Sequence, residues 1–240
     1  MVVELVAVVI DAGSPVALAH FWERALGWRV VGPDSDDVEL LPSDATSFGL
    51  VFRRHAAAKL TQNPIHFDLT STTLDDQAST VTDLIARGAR PVDVGQTSAE
   101  DHVVLADPEG NEFCVIEPGN RFLASCPRLG AVNCDGTKDL GYFYSAALGW
   151  PLVWDHDDET AIQAPTGDGP KITWSGPPLM AKSDRERIHL HLAPATGTAT
   201  DDAVEELLRL GATRLDNGVH RCVGAIALAN IDGNEFCLVE

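Results

Sequence analysis

The pentapeptide Gly110-Asn111-Glu112-Phe113-Cys114 returns unchanged as Gly233-Asn234-Glu235-Phe236-Cys237, so positions 110 and 233 set an offset of 123. Each copy follows an apolar run, at 103–106 and 225–229, and a turn containing aspartate: Asp107-Pro108-Glu109-Gly110 in one, Asp232-Gly233 in the other. Each precedes a second β-rich run, Val115-Ile116-Glu117 or Leu238-Val239-Glu240. The pattern predicts a hairpin in which glycine supplies the positive φ of the turn. Two identical hairpins this far apart announce a duplicated chain, which constrains the fold more than any single motif.

Taken in order, residues 5–10 predict a strand, and Ser14-Pro15 starts a helix, because proline is tolerated in the first helical turn. Leu18, Phe21, Trp22, Ala25 and Leu26 recur at helical spacing and Gly27 closes the helix. Strands at 38–41 and 48–52 follow, with a further one near 28–31. The pattern restarts at Ile65-His66-Phe67-Asp68-Leu69. Thr72 or Thr73 would cap a second helix, with Asp75 and Asp76 in its first turn and an apolar stripe of Ala78, Val81 and Ile85. Strands are expected at 92–94, 102–106 and 113–116. From Arg128 the whole order repeats. Phe21-Trp22 becomes Phe143-Tyr144 at an offset of 122, and Ile65-His66-Phe67-Asp68-Leu69 becomes Ile188-His189-Leu190-His191-Leu192 at 123. The two halves, 1–117 and 128–240, must therefore share one α+β fold across a linker at 118–127.

Charge narrows the partners. With 36 acidic against 17 basic residues the net charge is −19, which disfavours nucleic acid and anionic membranes. Five cysteines without a CxxC pair make a disulfide framework an unexpected outcome and suit a reducing cytosol. The N-terminus has no basic region, and no apolar run is long enough to span a bilayer. A cytoplasmic protein, monomer or homodimer, is expected.

Four β-α-β-β-β units in two pairs, with Ala25-Leu26-Gly27-Trp28 after the first helix and Asp107-Pro108-Glu109-Gly110-Asn111 in the hairpin, resemble the vicinal oxygen chelate superfamily. That superfamily includes glyoxalases, bleomycin-resistance proteins and extradiol dioxygenases. The resemblance covers nearly the whole chain. It implies two tandem glyoxalase-like domains, each a pair of modules whose curved sheet makes an open cup with helices outside. Strand alternation agrees: Ile65, Phe67 and Leu69 would face a helix, leaving His66 and Asp68, and likewise His189 and His191, in the cup.

Metal-dependent members of the superfamily use up to four ligands. Carried onto this sequence, the resemblance implies Glu4, His66 and Cys114 in one half and Cys126, His189 and Cys237 in the other. Imidazole and thiolate suit Zn²⁺, but the oxygen-rich set of the family is missing. Cys114 and Cys237 read more simply as small apolar fillers of a strand. His189 and His191, two apart on one strand, share a face and could grip one ion. Trp22 and Tyr144 belong to helices and to the core, whereas Trp174 is expected as a cup wall. The 107–111 turn is explained by turn chemistry alone.

Two functions follow. The first is a binding protein that encloses a small aromatic or apolar molecule without an obligatory metal, its site formed by Glu4, His66, Asp68, Cys114, Trp174, His189, His191 and Cys237. The second is a lyase, isomerase or dioxygenase using a divalent metal (Zn, Fe, Mn or Ni). In either case, Glu4 is expected to approach His66, making the cup of the first half the more anionic of the two.

Overall fold

The computed structural model describes residues 1–32, 36–56, 59–97, 100–181, 186–215 and 224–239; Cys222 and Glu240 lie outside them. Four modules follow one another. The first is β1 (Val3–Ala12), α1 (Pro15–Leu26), β2 (Arg29–Val31), β3 (Asp37–Leu41) and β4 (Gly49–Arg54). The second is β5 (Ile65–Leu69), α2 (Leu74–Ala86), β6 (Arg90–Pro91), β7 (Val103–Ala106) and β8 (Glu112–Val115). The third is β9 (Leu129–Cys134), α3 (Asp139–Leu148), β10 (Leu152–His156), β11 (Glu159–Gln163) and β12 (Lys171–Trp174). The fourth is β13 (Ile188–Pro194), α4 (Thr200–Arg209), β14 (Thr213–Arg214), β15 (Ile226–Ala229) and β16 (Glu235–Leu238).

The strands form two eight-stranded mixed sheets. One has the order β14-β15-β16-β13-β1-β4-β3-β2, the other β10-β11-β12-β9-β5-β8-β7-β6. Each sheet is a pair of modules, but the pairs cross the halves of the chain. The first module joins the fourth through antiparallel β1 and β13, from Val3↔Pro194 to Ile10↔Ile188. The second joins the third through β5 and β9, from Ile65↔Cys134 to Leu69↔Leu129.

One core fills the space between the sheets, and the helices explain it. Proline opens α1 and Gly27, with φ of 71°, closes it in the left-handed region. Its Phe21 and Trp22 reach across to Phe67 and Phe113 of the other sheet, all edge to face, with Trp22 and Phe67 centroids 5.2 Å apart. Helix α3 answers with Phe143 and Tyr144 against Phe236, and Tyr144 stacks on Trp174 at 5.3 Å. Thus α1 and α3 lie between the sheets and leave each sheet's opposite face for a site.

The repeated hairpin does more than turn. Glu109 accepts from the backbone N–H groups of Gly13 (2.8 Å) and Ser14 (2.7 Å) at the start of α1, and from Arg187 (2.9 Å) just before β13. Asp232, its counterpart, accepts from the N–H and hydroxyl of Thr137 just ahead of α3. Beneath these, Asp107 accepts from the Trp22 indole at 3.2 Å, and Asn230 pairs with the Tyr144 hydroxyl. Turn chemistry alone does not account for the hairpin; it ties three of the four modules together at Glu109.

Two local expectations are corrected. The strand foreseen at 92–94 is Arg90–Pro91, paired to Ala106 and Leu105. Beyond it the backbone donors of Val94 and Gly95 go to the side chains of Gln96 and Asp93, which ends the ladder. In α2, capped by Thr73 with Asp76 N–H at 3.0 Å, the buried positions are Gln77 and Leu84, while Ile85 is exposed. The Gln77 amide takes a core position because it donates to the carbonyls of Asp101 and Val115.

Candidate binding face of the second sheet

Strand β5 alternates as its sequence demands. Ile65, Phe67 and Leu69 enter the core, so His66 and Asp68 stand on the open face. Parallel β8 places Cys114 beside Asp68, and β9 places Asn133 beside His66. The ligand atoms of His66, Asp68 and Cys114 all lie within 4.8 Å of one another, with His66 Nε2 3.6 Å from Asp68 Oδ1. Burial raises the Asp68 carboxyl above its usual range, opposed by the nearby His66 and by hydrogen bonds from Cys114 and Asn133. Burial also pushes the Cys114 thiol up, and Asp68 adds to the push. With its thiol pushed up, Cys114 is no nucleophile.

Beside it is a cavity of about 310 Å³ whose lining includes Phe122, Asn133, Trp154, Glu159 and Thr173. Phe122 and Trp154 meet edge to face at 5.7 Å. The Thr173 hydroxyl is buried and has no hydrogen-bond partner among the described residues. Asn133 links the cavity to His66. Trp174, expected as the wall, also touches the cavity, but it is 2% exposed and belongs to the core. The reason is parity: in Lys171-Ile172-Thr173-Trp174 the apolar pair faces α3 and the polar pair faces out. Trp154, 42% exposed, takes the role given to Trp174.

On the first sheet His189 and His191 likewise point away from the helices, opposite the core residues Ile188, Leu190 and Leu192. Both are buried, and their Nε2 atoms are 3.1 Å apart, so one ring donates to the other. Burial, reinforced by the charge of Arg53, lowers His191 to about 4. Cys237 sits beside His191 in β16, and the three side chains could converge on one ion. Cys237 is disulfide-bonded, however. A sulfur committed to a disulfide is no thiolate ligand, which leaves two imidazoles. That bond also departs from the all-thiol expectation; Cys114, Cys126 and Cys134 are free.

The crossed sheets redistribute the remaining residues. Glu4 lies on β1 in the sheet of His189, exposed, its carboxylate 3.4 Å from the Thr196 N–H; it does not approach His66. Cys126 packs with the Cys114 group on the second sheet rather than with His189. Two residues escaped the sequence reading altogether. Lys171 is buried on the open face, and Phe122 comes from the linker to cover it. The polar–apolar alternation of 171–174 was the available signal for the first; nothing local marks the second.

The glyoxalase-like domain family matches residues 7–116 and again 131–239, most of the chain. The chain belongs to that family. Among solved structures, glyoxalase I from Zea mays matches with a TM-score of 0.67 at 15% identity, covering 99% of this chain and 92% of the other. A candidate dioxygenase from Bacillus subtilis matches at 0.61 and 12% identity, covering 98% and 84%. At such identities the likeness speaks to the fold alone. No curated protein sequence matches. This glyoxalase-like protein carries two groups that could hold a metal ion among its described residues, one on each sheet. No described helix is long and apolar enough to cross a membrane.

Proposed function

We propose that this glyoxalase-like protein binds a small aromatic molecule on the open face of its second sheet, without an obligatory metal. The observation that carries the reading is the 310 Å³ cavity, edged by Phe122 and Trp154 and floored by the unpartnered Thr173 hydroxyl. Aromatic edges supply attraction beyond their area, and one convergent hydroxyl fixes orientation. His66 and Asp68 stand one strand from Asn133 of the cavity lining, placed to hydrogen-bond a polar substituent. The same reading takes the protein as cytoplasmic, a monomer or homodimer, with 1–117 and 128–240 as its domains. Intrinsic tryptophan fluorescence tests it: 2-naphthol should quench saturably in EDTA-treated protein, and Trp154→Ala should weaken binding about fivefold, one edge-to-face pair's worth. No saturable binding, or binding that vanishes with EDTA, overturns the reading.

A second reading rests on the 3.1 Å convergence of His189 and His191. It makes the protein a lyase, isomerase or dioxygenase dependent on a divalent metal. His66, Asp68 and Cys114 would hold the ion, or His189 and His191 with Cys237 once its disulfide is reduced. The ion would polarise a substrate oxygen; His66 would orient or accept a proton from the bound molecule. Elemental analysis of protein purified without a histidine tag, before and after reduction, decides between the readings: a stoichiometric ion favours the second.

A further inference from the structure

Lys171 stands on β12, on the same face as Thr173. It is only 8% exposed. Its ammonium donates to the carbonyl of Phe122 and lies 4.1 Å from the centroid of the Phe122 ring. No carboxylate stands within ion-pair distance of it among the described residues. Along its row, Lys171 pairs with Ala131, which pairs with Asp68, so the nearest acid of that row is two strands away, about 10 Å. A buried ammonium satisfied by one neutral carbonyl and a ring face is under-compensated, because leaving water costs more than those contacts return. In a chain of net charge −19 a cation withdrawn from water serves no solubility purpose.

Phe122 supplies the template for what would complete it. The linker presents an aromatic ring wedged between the Lys171 ammonium and the edge of Trp154, together with an oxygen acceptor. That combination is an aromatic molecule bearing an oxygen substituent, built from the protein's own chain. A carboxylate in place of the carbonyl would add a full opposite charge to the hydrogen bond, making an ion pair that the neutral carbonyl cannot. We infer that the aromatic ligand of the second sheet carries an anionic oxygen, a carboxylate on its ring, that Lys171 recognises this group, and that the Phe122 ring swings aside to admit it. The inference rests on the aromatic-binding reading proposed above. Glu159 at the cavity mouth is exposed and its repulsion is screened by salt.

Calorimetric titration of the intact chain at physiological ionic strength, with 2-naphthoate and neutral 2-naphthol, tests the inference. The wild type should bind naphthoate about tenfold more tightly than naphthol, the gain of one charge-assisted bond. Lys171→Gln should erase that preference while keeping naphthol affinity within about twofold, which also reports that the variant is folded. Equal affinities in the wild type, or a preference that survives Lys171→Gln, overturns the inference and leaves aromatic binding intact. Binding of neither probe to the wild type overturns both.

Discussion

His191 is an imidazole that burial has made reluctant to take a proton. Its ordinary value near 6.5 falls to about 4 in the folded chain, with desolvation the largest cause and Arg53 the second. Between those values the unfolded chain binds a proton that the folded chain refuses. Stability is therefore fullest above pH 6.5 and declines as pH falls toward 4, by on the order of 3 kcal/mol in the metal-free protein. Urea unfolding from pH 7 to 4, compared with His191→Gln, checks this: the wild-type advantage should shrink with falling pH, and a pH-independent difference refutes it. At this scale much was legible. Alternation alone separated Ile65, Phe67 and Leu69 from His66 and Asp68. The same alternation was present in Lys171-Ile172-Thr173-Trp174, and there a tryptophan ending a strand ahead of Pro177-Pro178 suggested a wall where parity dictated a core. The lowered His191 and the raised Asp68 depend on what covers them, which no spacing reveals.

Among elements, the 107–111 turn carries the largest consequence. Replacing Glu109 by Ala removes the acceptor for two N–H groups ahead of α1 and strips Arg187, 8% exposed, of its carboxylate. A cost of about 2–4 kcal/mol is expected, combining a lost cap with the loss of one buried ion-pair partner. Asp232→Ala, which loses only the Thr137 contacts, should cost about 1–2 kcal/mol. Chemical denaturation of both variants should give that ranking; equal losses would show that Arg187 is indifferent to Glu109. Helix α3 supplies a second test. A Cβ on Gly141 would stand 2.3 Å from the Thr160 hydroxyl and 2.5 Å from its Cβ. Gly141→Ala, normally favourable within a helix, should instead destabilise by about 1–3 kcal/mol as α3 is pushed off β11. A rise in Tm would contradict that close approach. Helix ends were readable from Pro15, Gly27 and Thr73 because caps are local chemistry. The buried stripe of α2 was not, since an amide at Gln77 outcompeted nearby apolar residues by finding two carbonyls in the tertiary structure.

For the molecule as a whole, the constant offset established four like modules but left their partners open, because identical edges can pair in more than one way. The structure pairs first with fourth and second with third. Each half alone therefore holds two modules that lack their sheet partners, with β1 and β5 as unpaired edges. The fragment 1–117 should accordingly form a dimer in which each copy completes the other's sheets, the second module standing where the fourth does. Light scattering coupled to size exclusion measures this, and a folded monomer would be the contrary result. The crossing also orders events during synthesis. Strand β1 is made long before its antiparallel partner, which begins at Ile188. At cellular elongation rates of about 5–20 residues per second, some ten to forty seconds separate the two. For that interval the second and third modules can close their sheet between them, while β1 waits beside them with one edge uncovered until the fourth module arrives.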